Sequence, residues 1–271
     1  VDLYTGGDEH VTRHMLYASF WHHFLYDINA VPFEFPFKKR LCNGLTLGAD
    51  GNKMSKSLGN VVDPMSILEP YGADVFRLYM MFSGEYDQNT IWNEQGIKGC
   101  LKFVKNIWEL QDLIKGEDVS KEHEVALNKL IKKCADGIEN FTHNTSIAEM
   151  MIFVNKIKQD KFITKEELKQ FLIAINPFAP YITSEMFEQI FNAQITEQIY
   201  PSYDENKLVD NEINLPVQVN GKLKFTIKIA LNEDENAVKE KAKQQLQTKE
   251  TGEIVKVIYV PNKIINFIIK K

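Results

Sequence analysis

Cysteine is scarce in this chain of 271 residues: Cys42, Cys100 and Cys134 stand far apart, with no Cys-x-x-Cys pair. That spacing argues against a zinc ribbon and offers no disulfide framework, so free thiols in a reducing cytoplasm are expected. Long apolar runs are also lacking. None approaches the ~20 residues of a membrane span. Asp2, Asp8 and Glu9 interrupt the N-terminus, so no signal peptide is expected. There is no initiator Met, and Val1 falls inside an expected strand, which points to a processed, split or truncated chain. Positive charge is short overall. The net charge of -5 argues weakly against nucleic-acid binding. The deficit is uneven, however. From Leu215 onward eleven lysines face six acidic residues, a local +5, so the rest carries -10. A basic tail on an acidic body points to a separate electrostatic role for the tail, or to a solubilised surface.

What the chain has is an ordinary globular composition, 44% hydrophobic and 25% charged, with room for two or three domains. Its most specific word is Lys53-Met54-Ser55-Lys56-Ser57, preceded by Gly51-Asn52 and followed by Leu58-Gly59-Asn60. Two ammonium groups and two hydroxyls in a glycine-bounded turn can close over a polyphosphate. Lysine puts a compact charge on a flexible stem, and the hydroxyls add short hydrogen bonds. The plainer alternative is a solvated basic turn.

The periodicity orders the chain. A short apolar run from Val1 to Tyr4 reads as a strand, Gly6-Gly7 as a turn, and Val11, Met15, Ala18, His22 and Leu25 as a helix stripe widened by Phe20 and Phe24. Ligands of open α/β sheets bind at such strand ends, where glycines allow close approach and helix N-termini offer free N–H groups. Residues 37–47 read as a second strand with its approach, interrupted at Asn43-Gly44. Asp63-Pro64 caps a helix that ends at Tyr71-Gly72, and Ala73 to Phe82 begins another. Residues 89–191 are wholly helical in pattern. The stripes are Ile97, Leu101, Val104 and Trp108, then Leu127, Leu130, Ile131, Cys134 and Ile138, then Ile147, Met150, Met151, Val154 and Ile157. Leu168, Phe171, Leu172 and Ile175 form the fourth, broken at Pro177 and Pro180, and Ile182, Met186, Phe187 and Ile190 the last. These predict an antiparallel bundle. Residues 192–214 read as a linker. Asn220-Gly221 between alternating apolar runs predicts a hairpin. A helix opening at Asn232 and Glu233, and strands on either side of Pro261-Asn262, complete a small four-stranded α/β domain. The fold class is therefore α/β plus all-α, with domains over 1–88, 89–200 and 215–271.

The lysine word resembles the KMSKS signature of class I aminoacyl-tRNA synthetases. Further segments resemble leucyl-tRNA synthetases across nearly the whole chain: Asp2-Leu3-Tyr4-Thr5-Gly6-Gly7-Asp8-Glu9-His10, Tyr71-Gly72-Ala73-Asp74 with Arg77-Leu78-Tyr79, Trp92-Asn93-Glu94-Gln95-Gly96, Asn176-Pro177-Phe178-Ala179-Pro180, and Val217-Gln218-Val219-Asn220-Gly221-Lys222. Isoleucyl, valyl and methionyl enzymes share the lysine word, so the leucyl reading rests on the other segments. That family's His-x-Gly-His signature, its leucine pocket and its editing domain are not in this chain. The resemblance thus covers the second half of a Rossmann-type catalytic domain, a helical bundle of the anticodon-binding type and a C-terminal domain.

The resemblance implies activation of leucine by ATP, with Mg²⁺ bound to the nucleotide, and transfer to tRNA(Leu) in the cytoplasm. It implies dependence on an N-terminal half or an alpha-type subunit, and no membrane. Lys53 and Lys56 would act on the phosphates. Gly6, Gly7, Glu9, His10, Gly44, Met54 and Ser55 would line the ATP and adenylate site, with Met54 over the adenine and Glu9 on the ribose. Lys222 and Lys224 would contact tRNA, and Lys222, Lys224 and Lys228 are expected on one strand face opposite Leu223, Phe225 and Ile227. His10 and His14 are one helical turn apart. That spacing also suits a metal, but a zincin needs Glu after the first His and position 11 is Val, so no metal is expected. A packing role for His14 is the alternative, and His22 and His23 read as structural or surface. The other class open for the chain is a binding fragment that holds tRNA or a partner chain without chemistry of its own.

Overall fold

The computed structural model describes residues 1–208, 212–230, 233–247 and 253–270. Strand β1, Leu3–Gly7, pairs in parallel with β2, Lys39–Asn43, placing Gly6 opposite Cys42 and Gly7 opposite Asn43. A 3-10 turn over Asp8–His10 precedes helix α1, His14–Asp27. The two glycines therefore end the strand instead of forming the turn, and the helix starts after Val11. No residue of α1 is fully buried. Met15, Ala18, His22 and Leu25 are half-buried as the stripe predicts, but Phe20 is 75% exposed and Trp21 60%. The expected widening of the buried stripe does not occur.

A second parallel pair joins β3, Thr46–Leu47, to β4, Thr90–Ile91. The single strand expected over 37–47 is thus divided between two small sheets. Gly44 explains the division. Its N–H donates to the Tyr86 carbonyl at 2.9 Å, and a Cβ there would collide with the Gln88 carbonyl. Helix α2, Met65–Tyr71, follows Pro64, with the Asp63 carboxylate accepting from the Met65 N–H at 3.0 Å. Gly72, at a φ of 83°, breaks the chain into α3, Ala73–Phe82.

Five helices follow: α4, Glu94–Trp108; α5, Lys121–Glu139; α6, His143–Asp160; α7, Lys165–Ile175; and α8, Pro180–Phe191. On α4 the buried residues are Ile97, Cys100, Phe103 and Ile107, while Trp108 stays 38% exposed. Both this set and the expected one have helical spacing, and burial follows the set that carries the Phe103 ring. The core runs without interruption from Ile67 and Leu78 through Phe103, Phe153 and Phe187 to Ile195. Residues on either side of position 88 share it, so packing sets no boundary there. A clamp reinforces the join. The Asp74 carboxylate accepts from the Tyr181 and Ile182 N–H groups at 3.3 and 2.7 Å, capping α8 from α3. Arg77 donates to the Pro177 carbonyl at 2.8 Å.

Compact packing of this first unit extends over Val1–Glu205. The first part of the expected linker belongs to it: Tyr200 donates to the Ile131 carbonyl at 3.0 Å, and the Asp204 N–H to Asn128 Oδ1 at 2.7 Å. Polar composition there marks a segment bonded along α5.

The second unit, Asn206–Lys271, is built on four strands: β5, Glu212–Val219; β6, Lys222–Ala230; β7, Glu253–Val260; and β8, Ile264–Lys270. Their order is β6-β5-β8-β7, with β5 and β8 parallel. Asn220 and Gly221 both have positive φ, 50° and 80°, as the tight hairpin requires. Helix α9, Glu235–Gln247, buries Val238, Ala242 and Leu246 on the sheet core. Its start is fixed by Asp234, which accepts from the Asn236 and Ala237 N–H groups at 2.9 and 3.1 Å. The expected opening at Asn232 lies outside the described residues.

Candidate functional site

The lysine word occupies a loop built on the end of β3. Leu47 bridges to Lys53, and the Gly48 N–H donates to the Asn52 carbonyl at 2.8 Å, so the chain reverses through Gly51 at a φ of 75°. Asp50 sits inside this reversal. It accepts from the Asn52 N–H at 3.1 Å and from the Asn60 amide at 3.2 Å. The Asn52 backbone N–H, then the Asn52 and Asn60 amides, hold its carboxyl below the usual carboxylate range. Asn60 reaches the other way too, accepting from the Ser55 N–H at 2.8 Å. A Cβ on Gly48 would stand 2.6 Å from Asp50 Oδ1 and 2.9 Å from Asn60 Nδ2. Glycine there leaves room for the clasp. The spacing of the lysine word gave no sign of Asp50 or Gly48, and Asn60 was visible only as a flanking residue.

Above the clasp the loop is open. Ser55 is extended and its hydroxyl pairs with that of Ser57 at 2.8 Å. Lys56 begins a 3-10 turn over Lys56–Leu58 and is exposed, with no side-chain partner among the described residues. Lys53 Nζ lies 3.9 Å from Glu9 Oε1. This pair brings the carboxyl end of β1 to the loop, 44 residues along the chain. Both side chains are well exposed, so the pair contributes little stability. Gly6, three residues before Glu9 on the same strand end, has open space where a Cβ would stand, whereas the Glu9 carboxylate folds over Gly7. Arg40 donates to the Gly7 carbonyl at 3.0 Å, fixing the strand end. A hydrogen bond to Asp8 pushes the Cys42 thiol up from its usual range, which disfavours its thiolate.

The other expected residues are placed differently. His10 is exposed in the 3-10 turn, and His14 stacks on Tyr4 with ring centroids 5.6 Å apart. No cluster of metal-ligating side chains occurs among the described residues. Met54 is half-buried against the main core, so its contacts here are packing contacts. Gly44 serves the backbone crossing described above. It also borders a cavity of about 470 Å³ with Met80, Tyr86, Phe141 and His143, which none of the loop lysines reaches. Burial lowers the His143 pKa.

On β6 the alternation of lysines and apolar residues is interrupted. Val217 pairs with Phe225 but Gln218 with Leu223, so Lys224 is the extra residue of a β-bulge. Leu223 is consequently 62% exposed. Lys222 pairs with Val219, whose side chain is buried, and cross-strand partners share a face. Lys222 and Lys224 are both exposed at the hairpin end, but the single-face alternation expected for them does not hold.

Two family models match the chain. One, described as tRNA synthetases class I (I, L, M and V), covers residues 18–93, and the other, the anticodon-binding domain of tRNA ligase, covers residues 121–241. The leucine–tRNA ligase of Alkaliphilus oremlandii (strain OhILAs) is 40% identical over 275 residues, covering all of this chain and 34% of the relative. That of Mycoplasmopsis pulmonis (strain UAB CTIP) is 39% identical, covering all of this chain and 35% of the relative. The chain therefore spans about a third of the length of the curated relatives it matches. Among solved structures, the LeuRS of Agrobacterium radiobacter K84 agnB2, in a ternary complex with tRNA and LeuAMS, superposes with a TM-score of 0.72 at 27% identity. That match covers all of this chain and 38% of the other. Mycobacterium tuberculosis methionyl-tRNA synthetase shares the fold at a TM-score of 0.51 and 14% identity, over 69% of this chain and 44% of the other.

Proposed function

We propose that this chain, related to the leucine–tRNA ligases along its whole length, supplies the lysine-loop half of their adenylate-forming site together with bundle and C-terminal domains that hold tRNA(Leu). The observation that carries the reading is the convergence of Lys53 and Glu9 at the carboxyl end of β1, 3.9 Å apart, on a strand end whose Gly6 leaves open space where a Cβ would stand. A polyphosphate entering there would meet Lys53 and Lys56 on one side, with Glu9 available to accept from ribose hydroxyls.

The reaction is attack of the leucine carboxylate on the α-phosphate of ATP, releasing pyrophosphate. Negative charge grows on the non-bridging and leaving oxygens, so the chain's own task is alignment and electrostatic stabilisation. Mg²⁺ arriving on the nucleotide would neutralise part of that charge. Lys56, on an open loop with a clasped base, can tighten on the leaving phosphates as the charge develops. Asp50 and Asn60 hold that base, and Arg40 holds the strand end that carries Glu9.

The site needs more protein than this chain provides. Helix α1 leaves Leu16, Tyr17, Phe20 and Trp21 each at least 60% exposed, and Phe33 and Phe35 beyond it are also at least 60% exposed. Large apolar side chains left this open mark an interaction surface. We assign it to the part of the relatives' sequence that this chain does not span, whether in one polypeptide or as a partner subunit. The isolated chain is accordingly expected to be silent in leucine-dependent ATP–pyrophosphate exchange. Adding the complementary part should restore the exchange. Robust exchange by the chain alone would overturn the division of labour proposed here.

The second unit adds charge more than chemistry. Removing residues from Leu215 onward is expected to weaken tRNA binding and flatten its salt dependence, because each phosphate contact releases counterions. Adenylate formation in the complete enzyme should change little. Unchanged tRNA affinity across a salt series would assign these lysines to solubility.

A further inference from the structure

We infer, resting on the adenylate-forming role proposed above, that Asn60 is a positioning residue for that reaction: it sets where Lys56 stands by closing the arch that carries it. Asp50 and Gly48 hold Asn60 in the orientation that does this. From Ser55 the chain runs through the 3-10 turn over Lys56–Leu58, reverses at Gly59 with a φ of 66°, and returns to Asn60. The Ser55 N–H donates to Asn60 Oδ1 at 2.8 Å, so one side chain ties the two ends of the arch. From Nδ2 the same amide donates to the Asp50 carboxylate, 3.2 Å from each oxygen, and lies 3.4 Å from the Lys53 carbonyl. Asn60 thus grips the backbone on both sides of Met54, at Lys53 and at Ser55. It fixes the stretch that spaces the two loop lysines.

The residue types suit this task. The arch needs a donor and an acceptor in one rigid plane, which a side-chain amide supplies and a carboxylate does not. Asp50, ionised, only accepts, so it selects the amide orientation with Nδ2 toward itself and Oδ1 toward Ser55. Asn52 holds the Asp50 carboxylate from the other side, through its backbone N–H at 3.1 Å and its amide at 3.2 Å. Gly48 is buried at this junction, and its φ lies outside the left-handed region. Glycine is needed there for space alone, because a Cβ would stand 2.6 Å from Asp50 Oδ1 and 2.9 Å from Asn60 Nδ2. Folding stability does not account for so many converging groups. Asp50 and Asn52 are exposed, and hydrogen bonds open to water add little to stability. Alignment does account for them, since a small displacement of a group that meets developing charge costs far more in rate than the bond contributes to folding.

The test uses a complete synthetase containing this chain. Single-turnover adenylate formation is followed at limiting and saturating ATP, and rates are expressed per active site by burst titration. Asn60→Asp removes the donor and sets two carboxylates face to face. It is expected to slow the reaction at saturating ATP roughly tenfold or more. The Michaelis constant for ATP should stay within about twofold, as for a group that acts on the transition state. Gly48→Ala leaves the loop lysines and both clasp side chains in place, and the same split is expected from it. Asp50→Asn combined with Asn60→Asp exchanges the two roles, residue 50 donating and residue 60 accepting from Ser55. That pair should recover to within about threefold of the original rate, a coupling that double-mutant cycles detect. Asn60→Asp added to Lys56→Ala should cost little more than Lys56→Ala alone, because Asn60 acts through that lysine. A purely structural role would lower the thermal midpoint or the fraction of active sites and leave the rate per site unchanged, and that outcome would overturn the inference. So would a change confined to the Michaelis constant, a loss that the exchange does not repair, or full additivity with Lys56→Ala. All of these leave the proposed function standing. Absence of leucine-dependent exchange in the unaltered complete enzyme would instead sink the proposed function, and the role of Asn60 with it.

Discussion

Lys56→Ala, made in a complete synthetase containing this chain, is expected to slow leucine-dependent adenylate formation roughly a hundredfold, about 3 kcal/mol of lost transition-state stabilisation. Its effect on ATP binding should be much smaller. The two loop lysines differ in their surroundings. Lys53 Nζ already stands 3.9 Å from the Glu9 carboxylate, whereas the Lys56 ammonium is exposed without a partner among the described residues. A group that holds nothing in the ground state and reaches developing charge later acts on kcat, not on substrate affinity. Single-turnover adenylate formation with saturating ATP separates the two effects. A change confined to the Michaelis constant for ATP would show that Lys56 binds substrate and transition state alike, and the role assigned to it would be wrong.

Much of this site could be read from the sequence because its parts are contiguous. The lysine word, its flanking glycines, and the Asp63-Pro64 start of α2 are local signals, and local backbone preference decides them. Asn220-Gly221 is another such case: positive φ at both residues is what a two-residue hairpin demands. What escaped the sequence depends on a second segment. Gly44 reads as a glycine for ligand approach, yet the Gln88 backbone crosses where its Cβ would be. The α4 stripe was legible as helical but not in orientation, because Leu101 and Val104 have the same spacing as Cys100 and Phe103. The bulge at Lys224 turned an alternating strand into one where Leu223 faces outward. Nothing in the alternation itself announces an extra residue. Phe20 and Phe24 widen the α1 stripe in the sequence yet stay exposed, because periodicity reports which residues are apolar, not what covers them.

A larger effect on stability is expected far from the loop. Glu167→Gln should cost about 3 kcal/mol at neutral pH, and that cost should shrink in acid. Thr164 and Glu167 form a capping box at the start of α7: the Glu167 N–H donates to Thr164 Oγ1 at 3.2 Å and the Thr164 N–H to Glu167 Oε2 at 2.9 Å. The carboxylate does more than cap. Fully buried, it also accepts from the Ser120 N–H and hydroxyl, each at 2.7 Å, and lies 2.9 Å from His123 Nδ1. The far ring nitrogen of His123 is 3.2 Å from Asp160, so one network ties α5, α6 and α7. Burial by itself pushes the Glu167 carboxyl up. The donors, His123 first among the favourable ones, outweigh burial and bring it from 4.5 down to about 2. Each unit of that shift corresponds to about 1.4 kcal/mol. Because the folded value lies below the unfolded one, the stabilisation is fully present above pH 4.5 and is lost as pH falls toward about 2. Urea unfolding of the original chain and the variant, repeated through that window, should show two stabilities that converge with acidity. A difference that stays constant at every pH would assign the cost to the neutral cap and its packing, and the ionised carboxylate would then hold no special place in the bundle.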